Sequence, residues 1–178
     1  MMKKLIALLT LAALALSCTA ALAATYTDPD GDITFDYDEA LFEITMDDHT
    51  DDEDLVILTF KDESWGKEGG VRIYLKDLED GETFPTLADF AELEQAMNTT
   101  VEQMDEWAGF KNVFVYDVET ENTFEETFIA PVYDDDDDGE IEDLLTVEII
   151  VELIDDEETG MTRDDAISAI VDSLKVND

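Results

Sequence analysis

A chain of 178 residues with 49 acidic side chains against nine basic ones, a formal net charge of -40, repels nucleic acid and anionic lipid and attracts cations and basic proteins. Its 45% hydrophobic content separates it from a disordered acidic tail, and a single cysteine excludes a disulfide framework. A high-salt habitat selects the same acidity, so charge alone identifies no ligand.

Residues 1–23 read as a secretory signal: Lys3 and Lys4, an apolar run from Leu5 to Leu16, and small residues ending in Ala21-Leu22-Ala23. The apolar run is short for a membrane span, which needs about 20 residues. Cleavage after Ala23 removes Cys18 and leaves residues 24–178 as one acidic α+β domain, secreted or held in the cell envelope. The rival is a lipoprotein. Ala15-Leu16-Ser17-Cys18 matches a bacterial lipobox in part, and lipidation of Cys18 would tether a chain that otherwise has no membrane insertion.

The expected elements begin with a turn-rich entry, Thr25-Tyr26-Thr27-Asp28-Pro29-Asp30-Gly31-Asp32, and a strand in which Ile33, Phe35 and Tyr37 alternate with polar residues. A short strand, Phe42 to Met46, precedes an acidic loop, Asp47 to Asp54. Leu55 to Phe60, apolar on both faces, reads as a central strand. Gly66, Gly69 and Gly70 mark a turn before Val71, Ile73 and Leu75. After Pro85 the period changes: Thr86 and Asp89 form a capping box, and Leu87, Phe90, Ala91, Met97, Val101 and Met104 predict an amphipathic helix, with Asn98-Thr99-Thr100 a candidate break. Strand character returns over Val113 to Val118. A hairpin from Phe124 to Leu153 follows, with Leu145, Val147, Ile149, Val151 and Leu153 on one face of its second strand. The chain closes with a helix capped by Thr162 and Asp165 that buries Ile167, Ile170, Val171 and Leu174.

Strands in successive runs with two helices predict an α+β domain with a mostly antiparallel sheet. The stretches Asp30-Gly31-Asp32-Ile33-Thr34-Phe35-Asp36-Tyr37 and Leu41-Phe42-Glu43-Ile44, the middle segment Thr86 to Ala91, and the closing Ile167 to Lys175 resemble PsbP-like and DcrB-like domains. Two positions depart: Asp38 stands where that family usually has Pro, and Leu41-Phe42 where a Trp is common. The resemblance implies an antiparallel sheet between helices, an α/β/α sandwich, and little about activity, because such domains serve as accessory and envelope proteins.

The hairpin tip carries the sharpest candidate chemistry. Asp134, Asp136 and Asp138, followed by Gly139, match the first half of a calcium loop, with Glu140 and Glu142 as further ligands. Leu145 stands where the closing bidentate Glu belongs, so the choice is between a weak Ca2+ site and a solvated acidic turn that protects a hairpin end. Asp28, Asp30 and Asp32 form a poorer set that a turn explains. His49, the single histidine, is expected in a mobile acidic loop whose carboxylates favour its protonated form. Ser64, Ser168 and Ser173 lack a nucleophile elbow. Trp65 and Trp107 lie near turns, where packing over the core edge competes with an aromatic platform. The sum is a non-enzymatic binding or accessory domain whose partners are a basic protein surface or divalent cations. The alternatives are a calcium-stabilised extracellular module and an acidic hydrolase.

Overall fold

Alternation of apolar and polar residues, with turns between, builds two antiparallel sheets in the computed structural model, which describes residues 23–50, 52–65, 69–79, 81–133, 140–153 and 157–177. The larger sheet holds β3 (Phe42–His49), β4 (Glu53–Phe60), β5 (Gly70–Asp77), β6 (Glu102–Trp107), β7 (Phe110–Glu119), β8 (Thr123–Tyr133) and β9 (Ile141–Glu152). Its order is β3-β4-β5-β9-β8-β7-β6. The smaller sheet places β2 (Ile33–Asp38) between β1 (Ala23–Thr27) and the short β10 (Lys175–Val176). Two α-helices, α1 (Ala91–Met97) and α2 (Glu157–Ser173), complete the described elements.

The core lies between the sheets. Val56 and Leu58 of β4, Val71 and Ile73 of β5, and Leu145 and Val147 of β9 face Tyr26, Ile33 and Phe35 of the small sheet and Ile167, Ile170 and Leu174 of α2 in one cluster. Each fully buried side chain of this size contributes about 1.5–3 kcal/mol by leaving water. At the start of β5, Gly70 pairs with Thr59 of β4 so closely that a Cβ there would sit 1.9 Å from the Leu58 carbonyl oxygen. A second cluster, Phe90, Val101 and Phe114, lies apart from this core, with Phe84 stacked on Phe114 at 5.4 Å.

The expected α+β fold, an α/β/α sandwich of the PsbP-like kind, is not the fold observed. Strands dominate, and the layer opposite the large sheet is built from β1, β2 and β10 together with α2. The predicted middle helix is the main source of the difference. Asp89 does accept hydrogen bonds from the Thr86 amide and hydroxyl, at 2.7 and 2.8 Å, yet the turn it caps is 3-10 over Leu87–Phe90. α1 then stops at Asn98, which turns left-handed at φ 52° with its amide on the Glu94 carbonyl. Beyond it Met104 belongs to β6 and pairs with Val113. At the other end of the chain α2 begins at Glu157, upstream of the expected Thr162 cap.

Candidate functional site: a histidine clasped by carboxylates

The site grows from an irregularity in β3. Phe42 and Ile44 pair with Phe60 and Leu58 of β4, but the register slips between Ile44 and Met46. A bulge adds one residue and reverses which side chains look inward. Met46, which uninterrupted alternation would bury, is 46% exposed, while Asp47 and His49 come to lie opposite Val56 and Asp54. Thr50 closes the hairpin, its hydroxyl accepting from the Glu53 amide at 3.0 Å. The segment Asp47 to Asp54, expected as a loop, is therefore the end of a hairpin.

His49 is held from both sides. Its Nδ1 lies 2.6 Å from Asp54 and its Nε2 2.5 Å from Asp47. The phenol of Tyr26, from β1 in the other sheet, donates to the same Asp47 oxygen at 2.5 Å and lies 3.3 Å from Nε2. Asp28, buried just beyond β1, accepts from the Ile33 amide at 2.7 Å and the Asp30 amide at 3.2 Å, which fixes the turn around Gly31. The turn reading of Asp28 is thus the structural one; Asp30 is exposed and Asp32 half-buried beside it.

The electrostatics follow from this packing. Burial pulls the His49 pKa down, but the hydrogen bonds and charges of Asp54 and Asp47 outweigh it and raise the net value. Asp47 is lowered, chiefly by the Tyr26 hydroxyl and, against the cost of burial, by His49. Tyr26 is pushed far up by burial and by Asp47, so the phenol stays a donor. Asp32 is raised by burial and then by the fields of Asp28, Asp54, Asp30 and Asp77. A doubly protonated imidazole satisfies both carboxylates at once; a neutral ring would turn a lone pair toward one of them.

Asp28, His49 and Asp54 bring one donor atom each within 4.8 Å of one another. This is the spacing of a cation site, but the two ring nitrogens are already engaged by carboxylates and Asp28 by backbone amides. The chemistry that the arrangement supports is proton holding, with the Tyr26 phenol kept as a donor; Ser173 on α2, outside the clasp, donates to the Ala169 carbonyl at 2.7 Å and accepts from the Asp36 amide at 2.8 Å.

Of the residues proposed for calcium, Asp134, Asp136 and Asp138 lie outside the described residues. Glu140 and Glu142 are exposed at the start of β9, and Leu145, at the expected closing position, is in the core. The hairpin itself forms, with Tyr133 opposite Ile141. Trp65 is buried against Phe60, and Trp107 stacks on Phe128 at 4.0 Å, so both tryptophans serve packing. Phe42, Ile44 and Met46 alternate without a break, so the sequence carries no mark of the bulge that builds the His49 clasp. No protein-family model, curated protein or solved structure matches this chain.

Proposed function

We propose that the chain is a non-enzymatic binding domain that works outside the cytoplasm and meets a basic protein partner. The observation that carries this reading is the use the protein makes of its few positive charges. Arg72 pairs with Glu148 at 3.0 Å, Lys76 with Glu82 at 3.1 Å, and Arg163 lies against Asp164 and the Glu152 carbonyl. Lys61 is turned onto the Glu39 carbonyl. These four cations are engaged within the chain, and the large excess of carboxylates is left to set the external field, which steers a positive partner. The signal-like residues 1–23 support an extracytoplasmic site of action, and no described helix is long and apolar enough to cross a membrane.

A zero-length carbodiimide cross-link, which joins carboxylates to amines, tests the reading in cells that make the protein. The expected result is one discrete adduct with a basic protein that, once purified, binds saturably at about 0.15 M salt, the physiological ionic strength. Adducts with neutral proteins in proportion to their abundance, or none, overturn it.

A further inference from the structure

We propose that the groove between β2 and α2 seats a lysine side chain of this basic partner; the inference rests on the binding reading above and gives it an address. Thr162, Asp165, Ala166 and Ala169 follow one another on α2 at the spacing of a single helix face. Across from them stand Tyr37 and Leu41, so that the floor is apolar and the volume, about 340 Å3, falls within the range of small-ligand clefts.

The rim is what selects the occupant. Asp36, Asp38 and Asp165 line the groove, and among the described residues no basic one does. Three other grooves contain a cation of their own: Arg72 between β4, β5 and β9, Arg163 on the far side of α2, and Lys111 by β7. A groove whose mostly apolar lining includes three aspartates and, among the described residues, no cation is complementary to an ammonium on an aliphatic stem. Lysine has that shape: its four carbons cover apolar surface while the charge stays at the rim. Asp38 and Asp36 are also fixed, the first by the Ala40 amide at 2.8 Å and the second by the Thr25 hydroxyl at 2.6 Å, so little ordering accompanies binding.

The test uses protein made from the full coding sequence and purified as the cell leaves it, labelled with 15N and titrated with a tetralysine peptide. The Nε-acetylated peptide and sodium chloride at matched ionic strength are the controls. Two variants accompany it: Asp38→Asn/Asp165→Asn, which removes two charges, and Ala169→Leu, which fills the floor from an exposed helical position. The expected result is a saturable shift of the Tyr37, Leu41, Ala166 and Ala169 amides, absent with the acetylated peptide and weakened about tenfold in each variant. Saturable binding that shifts amides elsewhere and is equal in both variants overturns the groove but leaves the basic-partner reading standing. Shifts that sodium chloride reproduces in full remove both.

Discussion

Replacing His49 by glutamine separates the charge of the clasp from its shape. A glutamine amide can donate to one carboxylate but cannot neutralise two. The inner contact, His49 to Asp54, lies between side chains 13% and 11% exposed, where a charge-assisted hydrogen bond contributes about 1.5–3 kcal/mol. The outer contact reaches Asp47, 46% exposed, and an ion pair so open to water contributes about 0.2–1 kcal/mol. The substitution His49→Gln should therefore cost about 2–4 kcal/mol, a fall in Tm of roughly 5–15 °C for a domain of this size.

That cost has a pH dependence with a fixed sign. The folded His49 pKa is raised, so its contribution is complete below the unfolded value near 6.5 and disappears as pH climbs through the folded value. Asp47 has the opposite limb: its pKa is lowered, and its contribution is lost only in acid, below about pH 4. Thermal unfolding of both proteins from about pH 5.5 to about pH 9, at constant ionic strength, should show a gap that is widest at the acid end and narrows with rising pH. A gap that stays constant or widens refutes the protonated clasp.

Tyr26→Phe keeps the ring stacked 4.8 Å from Phe35 but removes the hydroxyl on Asp47; it should cost about 1–2 kcal/mol and raise the Asp47 pKa, read by 13C carboxyl titration. Thr127→Val should stabilise by about 1 kcal/mol in urea unfolding, because the buried Thr127 hydroxyl has no hydrogen-bond partner among the described residues and valine has its shape; a loss instead would show that the hydroxyl is bonded. Gly70→Ala should abolish the folded protein by driving a methyl into the Leu58 carbonyl, whereas Gly31→Ala, with open space and φ +94°, should cost about 1–2 kcal/mol. Equal circular dichroism melts for the two glycine variants would contradict the close approach of β4 and β5 at Gly70.

The strands were legible where one face is buried throughout. Ile33 and Phe35, the Val71-Ile73-Leu75 stripe, and Leu145 with Val147 all lie in the core as their alternation requires. Leu153 leaves the stripe because β9 ends at Glu152. Helical spacing misled over Leu87 to Met104, since Phe90 and Val101 meet the same Phe114 from a turn and a loop, a contact that three-dimensional packing allows without a continuous helix. The clasp was illegible for a related reason. A one-residue bulge exchanges inward and outward positions, and Asp47-Asp48-His49 reads as a solvated run until that exchange is known. The small sheet escaped because β10 is two residues long and finds its partner far upstream.

That last pairing sets an order of assembly. Lys175 and Val176 lie against Thr34 and Ile33, and Asn177 donates from its amide to the Asp32 carbonyl and from its side chain to the Gly31 carbonyl, at 2.8 Å each. The β1–β2 hairpin and the β3–β5 and β6–β9 meanders can form from neighbouring strands, but the third strand of the small sheet joins from residues up to 146 positions away. Contacts of such separation form slowly, because loop closure must precede any gain from them. A chain emerging from its N-terminal end therefore holds Ile33 and Phe35 in an unfinished layer until Lys175 and Val176 arrive, and removing those two residues would leave that layer without its third strand.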